Sequence, residues 1–585
     1  MTVHEAAASL RVDTHIRGFD AAAHGGLPRG RITALLGSAG AGKTIFALQT
    51  LAHRMREHDE HAIFVTFEQP VEHVIADVGG FDWDFAAIAE THLTLLDAGI
   101  GPEAARNGEF TLDGLLATLT AVAALTDAKT IVLDGIDALI SGLGSEEAER
   151  EELGRVVSWL RKSGLTGILT VKSGDSRPRS RAREEYLEYH TDCVIELNTL
   201  QISHVVSRTL RIIKYRGSGF NSDLLPLVLG REGIQIISGD EFPIEQAPIM
   251  TDRLTTGVHE LDLLLEGGYL RGSTTLVSGS PGTAKSTLST AFLVASAREG
   301  HRGIYFSFDE TERQIASHMA SVGFGVREYV EAGVLRISPL QAKASPPEQH
   351  VANMLLQIAE FGAEVVVIDP VSAILKSDHP FAARIIEHLL LELRRRNVTL
   401  LCTSLLDGMN GETAESTQSQ VSTLADTWMH LSYVPRGGER NRALTIVKSR
   451  GTAHSNQVRE LSVSSDGVTL KPVYTSEGEV LLGNARLQKE ATDRRAALKE
   501  HLEQEMREHD AERELGQLGV QLDQLTLDLR RKQLELELLK AAREDMVEAQ
   551  QFDLRERVAA RNMDDSAIDE APVPSAATDE AGEPA

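Results

Sequence analysis

The chain has 585 residues, of which 42% are hydrophobic and 25% charged, and its formal net charge is −27. This length predicts several domains, and the composition is typical of a globular protein. The acidic balance argues against a protein that coats nucleic acid, because that function needs clustered lysine and arginine. We find neither a membrane span nor a signal peptide in the sequence and expect a cytoplasmic protein. The two cysteines, Cys193 and Cys402, are expected to be reduced strand residues.

The first half of the chain alternates short apolar runs with helical stretches. This alternation predicts a parallel sheet covered by helices. The near-continuous apolar character of the runs is typical of strands buried on both faces. The predicted strands are Ile32–Leu36, Ile63–Phe67, Ile131–Leu133, Ile168–Val171 and Val194–Leu197.

A glycine-rich loop follows the first predicted strand and precedes a helix. It reads Gly37-Ser38-Ala39-Gly40-Ala41-Gly42-Lys43-Thr44. In such a phosphate-binding loop (P-loop), backbone N–H groups surround a polyphosphate at the N-terminus of the helix. We therefore predict ATP binding by residues 38–44, with Lys43 on the β- and γ-phosphates and the Thr44 hydroxyl on Mg²⁺.

Charged residues at other strand ends are candidates for the same site. Asp134 ends an apolar strand beside the P-loop, where a carboxylate can hold Mg²⁺ or its water. Glu68 follows another strand and could orient water or accept a proton; an ordinary exposed acid is the alternative. Lys214 and Arg216 project from one side of a strand and suit a γ-phosphate at a subunit boundary; a solvated edge strand is the alternative.

One segment of this acidic chain is locally basic, with arginines at positions 177, 179, 181 and 183. We expect a solvated loop there, and an interface or a loop facing phosphate is the alternative.

The second half repeats the first. Lys285 follows Lys43 by 242 residues, and a lead-in of aspartate, paired glycines and arginine repeats at the same spacing, which indicates an internal duplication. Ala284 replaces the glycine before Lys285, and the loop would be strained if that position needs a positive φ. The second P-loop reads Gly279-Ser280-Pro281-Gly282-Thr283-Ala284-Lys285-Ser286.

The other candidates of the second half follow from the same reasoning. Ser286 and Asp369 are predicted to lie next to Mg²⁺. Asp309 and Glu310 are predicted to be catalytic acids. Lys448 and Arg450 are predicted to form the cation pair. The predicted strands are Thr275–Ser278, Ile304–Phe308, Val365–Ile368, Val398–Cys402 and Trp428–Leu431.

The C-terminal region differs from both halves. From about Ala485 to Arg561 glycine is almost absent, and leucines recur in alternating steps of three and four residues, which is typical of a coiled coil. An amphipathic helix packed on its own domain is the alternative. We predict a coiled-coil helix over 479–562 and an acidic, disordered tail over 563–585.

These motifs resemble the KaiC family of double-domain RecA-like ATPases over about residues 10–472. The shared features are the repeated lead-in to the P-loop, Val65-Thr66-Phe67-Glu68 and the two Lys-x-Arg-Gly segments. The resemblance implies an α/β fold with two tandem RecA-like P-loop NTPase domains, residues 1–247 (ATPase) and 248–478 (autokinase), each a mostly parallel sheet with flanking helices. It further implies two stacked hexameric rings, with ATP between subunits and both cation pairs acting on the neighbour's nucleotide.

The resemblance also implies an internal phosphoacceptor. Residues 417–427 look like the family's autophosphorylation segment, and Ser422 and Thr423 fall on its two acceptors. In the first half the same positions are Glu188-Tyr189, 234 residues earlier, so only the second half has a hydroxyl pair there. A chance Ser-Thr pair in a polar loop is the alternative.

Several assignments stay open at this stage. Asp309 is shorter than the glutamate usual in the family, which puts the kinase rate in doubt. The coiled coil could join two hexamers or hold another partner, and a KaiB-like protein could bind the first ring. Competing functions are a DNA-dependent motor of the RecA or DnaB kind and a nucleotide-binding scaffold without catalysis.

Overall fold

In the computed structural model, the described residues are 10–99, 111–141, 145–174, 178–202, 204–238, 251–377, 379–405, 421–436, 438–452, 457–476 and 479–559. Residues up to Arg486 form one compact unit, and residues from Leu487 belong to a second. The predicted boundary at 247/248 and the predicted tail lie outside the described residues.

The first half contains two small strands, a nine-stranded sheet and eight helices among its described residues. The strands are β1 (Arg11–Val12), β2 (Leu27–Pro28), β3 (Ile32–Gly37), β4 (Ala62–Thr66), β5 (Leu93–Asp97), β6 (Thr130–Asp134), β7 (Thr166–Lys172), β8 (Cys193–Ile202), β9 (Val205–Tyr215), β10 (Leu225–Gly230) and β11 (Gly233–Ile236). The helices are α1 (Phe19–Ala22), α2 (Lys43–His58), α3 (Val71–Val78), α4 (Phe85–His92), α5 (Leu112–Thr126), α6 (Ile136–Ile140), α7 (Glu146–Ser163) and α8 (Pro178–His190).

The large sheet has the order β5-β4-β6-β7-β3-β8-β9-β10-β11. In this sheet order, the first six strands, β5-β4-β6-β7-β3-β8, are parallel to one another, and each later pair (β8-β9, β9-β10 and β10-β11) is antiparallel. All five predicted strands are confirmed, as β3, β4, β6, β7 and β8. β3 is central and buried along its whole length, because helices cover both faces of the parallel part.

The second half has the same architecture. Its strands are β12 (Arg253–Leu254), β13 (Tyr269–Leu270), β14 (Thr274–Gly279), β15 (Gly303–Ser307), β16 (Leu335–Pro339), β17 (Val365–Asp369), β18 (Thr399–Leu405), β19 (Thr427–Arg436), β20 (Glu439–Ser449), β21 (Arg459–Ser464), β22 (Gly467–Pro472), β23 (Tyr474–Ser476) and β24 (Glu479–Leu481). Its helices are α9 (His259–Leu264), α10 (Lys285–Arg298), α11 (Glu312–Ala320), α12 (Val326–Glu331), α13 (Pro347–Phe361), α14 (Ser372–Leu375), α15 (Ala382–Arg395) and α16 (Val421–Leu424).

The second large sheet has the order β16-β15-β17-β18-β14-β19-β20-β21-β22. This order matches the first sheet strand for strand, so the duplication seen in the sequence is a duplication of the fold. The five predicted strands are confirmed as β14, β15, β17, β18 and β19. Cys193 and Cys402 are buried in β8 and β18 and unpaired, as expected.

The two halves pack against each other within the first unit. Val228 and Ile237 of the first half belong to a hydrophobic cluster whose other members lie in the second half. Arg384 donates a hydrogen bond to Asp223 across the same boundary, at 3.1 Å. The halves are therefore joined by packing as well as by the chain.

The arginine-rich segment corrects one prediction. Arg179, Arg181 and Arg183 lie on α8 and not in a loop, because Pro178 is tolerated in the first turn of a helix. Arg183 donates to Glu149 at 3.0 Å, and Arg181 pairs with Glu185 at 3.3 Å. Residue 177 lies outside the described residues.

The C-terminal region is one helix, α17 (Gly483–Ala559), of 77 residues. The leucines that recur in steps of three and four residues are exposed, from 52% at Leu536 to 69% at Leu515 and Leu525. They are Leu515, Leu518, Leu522, Leu525, Leu529, Leu536 and Leu539. Within the described part of the chain, no helix combines the length and apolar character that a membrane crossing needs.

Candidate nucleotide sites

The first P-loop connects β3 to α2, as the sequence predicts. Gly40 and Gly42 have φ of 73° and 106°, a left-handed region that favours glycine. A Cβ added at Gly40 would meet no atom within 4 Å. The loop therefore leaves an open cradle in front of the N-terminus of α2, and this cradle suits a phosphate chain.

Side chains at the start of α2 meet the end of β6. Lys43 Nζ donates to the carbonyl oxygens of Gly37 and Ser38, at 2.8 and 3.0 Å. Thr44 Oγ1 donates to both carboxylate oxygens of Asp134, at 3.0 and 3.1 Å. The structure thus brings together the two residues predicted on the Mg²⁺ side.

The electrostatics of this cluster fit a divalent cation. Burial raises the pKa of Asp134. Burial, together with Asp137 and Asp134, raises the pKa of Glu68. Burial is the first cause of both pKa shifts, and repulsion between the neighbouring acids adds to it although Lys43 lies nearby. A bound Mg²⁺ would offset that repulsion, with Thr44 and Asp134 as its nearest protein groups.

The second P-loop connects β14 to α10 and repeats the lysine geometry. Lys285 Nζ donates to the carbonyls of Gly279 and Ser280, at 2.9 and 2.8 Å. Ala284 has φ 77° and ψ 28°, in the left-handed region. The strain predicted for a positive φ at this position is therefore present, whereas the first half uses Gly42 at the same position.

We expect Ala284→Gly to stabilise the second nucleotide site. An L-residue in this region destabilises the folded state by about 1–2 kcal/mol. Glycine relieves that strain, but it also raises the conformational entropy of the unfolded chain, which offsets about 0.4–1 kcal/mol of the gain. The net gain should be up to about 1.5 kcal/mol, measured as a higher urea midpoint of the second domain. Gly42→Ala is the matched control and should lower the midpoint of the first domain. A lower midpoint for Ala284→Gly would contradict the strain argument.

Asp369, the acid predicted to lie next to Mg²⁺ in the second half, differs from Asp134 in its hydrogen-bond partners. Asp369 accepts hydrogen bonds from the hydroxyls of Tyr305 and Thr403, and Tyr305 also bonds to the Ser286 side chain. Ser286 thus reaches Asp369 through Tyr305. Burial and Asp369 raise the pKa of Tyr305 well above its usual value, so its hydroxyl stays protonated and can donate.

The two predicted acids after β15 are not equivalent. Burial and the nearby Asp369 raise the pKa of Asp309. Glu310 instead lies with Oε1 3.2 Å from Nδ1 of His318. Asp309 is therefore the counterpart of Glu68, and it lies near Asp369.

The cation pairs lie at the end of the sheet opposite the P-loops. Lys214 Nζ donates to the backbone oxygens of Glu188, Tyr189 and Thr191, at 2.6, 3.1 and 2.7 Å. Arg216 donates to the Tyr189 oxygen at 3.0 Å. Both cations therefore hold the segment before β8.

The second half repeats this arrangement around the predicted acceptors. Lys448 Nζ and Arg450 Nη2 donate to the carbonyl oxygen of Thr423, at 3.2 and 3.1 Å. Thr423 thus occupies the place of Tyr189, as the 234-residue offset predicts. Thr423 is exposed, and Ser422 precedes it in α16. The Ser422 side chain and residues 417–420 lie outside the described residues.

Sequence reasoning missed three kinds of residue that contact the candidate site residues. Thr170 donates to Asp134 at 2.7 Å, as Thr403 does to Asp369. Arg208 and Arg442 each donate to a P-loop carbonyl, at 3.2 and 3.1 Å. The arginines are 234 residues apart, so this offset could have found them. Tyr305 is the third kind, and its counterpart Phe64 has no hydroxyl.

Comparison with known proteins identifies the family. A family model described as the KaiC ATPase matches residues 12–241 and again 254–474. The chain belongs to the KaiC family. The predicted resemblance is confirmed, and the two KaiC matches coincide with the two large sheets. This chain is thus a KaiC-family ATPase with tandem RecA-like domains.

Curated relatives agree with this assignment. The circadian clock protein KaiC2 of Synechocystis sp. is 33% identical over 539 residues, or 91% of this chain and 93% of the relative. The circadian clock oscillator protein KaiC of Acaryochloris marina is 30% identical over 478 residues, covering 81% and 91%. KaiC3 of Synechocystis sp. is 30% identical over 492 residues, covering 80% and 96%. The KaiC2 match is longer than the first compact unit, so it extends into α17.

Proposed function

We propose that the chain forms rings with ATP between neighbouring protomers, and that its second domain transfers phosphate from ATP to Ser422 and Thr423 of the adjacent subunit. The first domain would hydrolyse ATP slowly and support assembly. KaiC family membership supports the ATPase part of this proposal. The positions of the acceptors and cations support transfer between subunits.

One observation carries the proposal, namely that the acceptors and the P-loop lie at opposite ends of the same sheet. The P-loop follows Gly279, the last residue of β14. Asp426, just after the acceptors, donates its backbone N–H to the oxygen of Thr274, the first residue of β14, at 2.8 Å. Five residue steps of a strand span roughly 17 Å.

The cation pair is anchored at the same far end. The Arg450 N–H donates to the Asp426 oxygen at 2.8 Å, and Lys448 pairs with Trp428 near the start of β19. A chain therefore cannot bring its own Arg450 or Thr423 to its own P-loop without unfolding the sheet. A head-to-tail ring would bring one protomer's cation edge against the next protomer's P-loop edge.

The chemistry follows from this arrangement. The hydroxyl oxygen of Ser422 or Thr423 attacks the γ-phosphorus, the bond to the β-phosphate oxygen breaks, and ADP leaves. Asp309 of the subunit that holds the ATP would accept the hydroxyl proton. Mg²⁺ would neutralise phosphate charge at Ser286 and Asp369. Lys448 and Arg450 would neutralise the charge from the acceptor side.

The first domain lacks the acceptor but keeps the rest of the site. Glu188 and Tyr189 stand in place of the hydroxyl pair, and Lys214 and Arg216 hold their carbonyls. With no serine or threonine pair at this position, we propose that water is the nucleophile in the first domain and that Glu68 orients it. Hydrolysis in the first domain and transfer in the second therefore follow from one difference at a shared position.

Phosphosite mapping tests the acceptor assignment. After incubation of the full chain with Mg-ATP, we expect phosphate on Ser422 and Thr423 and none in Ser422→Ala/Thr423→Ala. Because Thr423 is exposed, the double variant should fold and still bind ATP. Phosphate at other residues of the wild type, or none at all, would remove the autokinase proposal.

The exposed seam of α17 predicts self-association. We propose that two rings join through a coiled coil whose seam includes Leu515, Leu522 and Leu529. Replacing these three leucines by glutamate should reduce the mass of the ATP-bound assembly by about half, since charges at core positions disrupt a coiled coil. Replacement of three acidic residues outside the seam, Glu512, Asp523 and Glu537, by glutamine is the control. An unchanged sedimentation coefficient for the leucine variant would contradict the proposal.

A further inference from the structure

A cluster of histidine and carboxylate side chains lies apart from the nucleotide site, at the C-terminal part of α2. Nε2 of His53 and Nε2 of His58 lie 2.8 and 3.2 Å from one oxygen of Asp13, its Oδ2. The three ligand atoms lie within 4.8 Å of one another. Four zinc ligands at about 2.0 Å would be about 3.3 Å apart in a tetrahedral site, so small shifts suffice to admit an ion.

A buried cation holds the carboxylate in place. Arg54 is 1% exposed and bonds to the other oxygen of Asp13, its Oδ1. Arg54 in turn pairs with Glu60, its Nε donating to Oε2 at 3.0 Å. The Asp13 oxygen that faces the histidines is therefore fixed by a second layer of bonds, as metal-ligating carboxylates commonly are.

His15 adds a third imidazole beside the cluster. Its ring stacks on His53 with centroids 4.4 Å apart and an angle of 8° between planes. His15 has φ 57°, whereas the matching position of the second half is Gly257 with φ 80°. The first half thus keeps a histidine where the second half has glycine, in a backbone region that few side chains adopt.

The duplication provides an internal comparison. The second half has no metal ligand at the matching positions, 242 residues later, which are Thr255, Ala295 and Gly300. The cluster is therefore not required by the shared fold or by nucleotide binding. A cavity of about 530 Å³ is lined in part by His15 and His53.

We propose that Asp13, His53 and His58 bind a divalent transition metal ion of the Zn²⁺ type. Two imidazoles and one carboxylate are a donor set that such ions prefer over Mg²⁺. Asp13 precedes the P-loop strand, and the histidines end the P-loop helix. The ion would therefore tie the lead-in segment to α2 and stabilise the first domain.

Cobalt titration tests the proposal. The untagged full chain, stripped with EDTA and moved into buffer with Mg²⁺ and without nucleotide, is titrated with Co²⁺. We expect visible d–d absorption that saturates at one ion per chain and is lost when Zn²⁺ is added. Zn²⁺ should also raise the thermal midpoint of the first domain.

Two variants and a matched control decide the location. His58 is exposed, so His58→Ala should fold and bind ATP normally, yet bind Co²⁺ at least about 10-fold more weakly, since losing a ligand costs no less than losing a residue that supports one. His53→Ala, which copies the alanine of the second half, should behave likewise. His92→Ala removes a histidine from a separate pair with Asp59 and should leave the titration unchanged. No absorption, equal binding in His58→Ala, or loss of binding in His92→Ala would overturn the proposal.

Discussion

Arg450→Ala is expected to reduce autophosphorylation by about 10³-fold or more, because a cation supplied from a neighbouring subunit is worth that much in phosphoryl transfer. ATP binding to the second domain should be weakened far less than phosphate transfer, since the P-loop and Lys285 remain to hold the phosphates. Arg450 is exposed, and its side chain donates a hydrogen bond to the carbonyl oxygen of Thr423. Its removal should therefore change the free energy of unfolding by about 0.5 kcal/mol or less.

Arg216→Ala is the matched control for this experiment. Arg216 makes the equivalent bond to Tyr189 in the first domain. Its loss should slow hydrolysis by the first domain while phosphorylation of the second domain continues. The measurements are phosphate incorporation, ADP release and nucleotide affinity for both variants. Full phosphorylation by the Arg450→Ala protein would contradict a cation site between subunits.

Much of the site could be predicted because its motifs are local. A P-loop, an acid that ends an apolar strand and a Lys-x-Arg pair are each readable within a few residues. The duplication added longer-range information, since one offset of 234 residues placed Thr423 where the first half has Tyr189. In the structure, the carbonyl oxygens of Tyr189 and Thr423 accept hydrogen bonds from equivalent cation pairs. The offset predicted that these positions are equivalent, but it could not predict the distances.

Other features depend on which strands are neighbours, and the sequence does not reveal this directly. Tyr305 reaches Asp369 because β15 pairs with β17 in a fixed register, and a tyrosine in an apolar strand otherwise looks like core. Asp13 meets His53 through the fold of the lead-in segment, 40 residues away. The arginines of α8 were predicted in a loop, because polar residues without apolar periodicity give a weak helix signal.

The most direct test of transfer between subunits mixes two defective chains. The first carries Lys285→Ala, which removes the phosphate-binding lysine but keeps Ser422 and Thr423. The second carries Ser422→Ala/Thr423→Ala and keeps the P-loop. Each alone should incorporate no phosphate at this segment, and co-purification through a tag on one chain should confirm mixed oligomers.

If ATP on one protomer serves the acceptors of the next, the mixed oligomers should carry phosphate on Ser422 or Thr423 of the Lys285→Ala chain. Only that chain has these hydroxyls, so the phosphopeptide identifies it without a label. Mixed oligomers that stay unphosphorylated, under conditions where the wild type is phosphorylated, would contradict transfer between subunits.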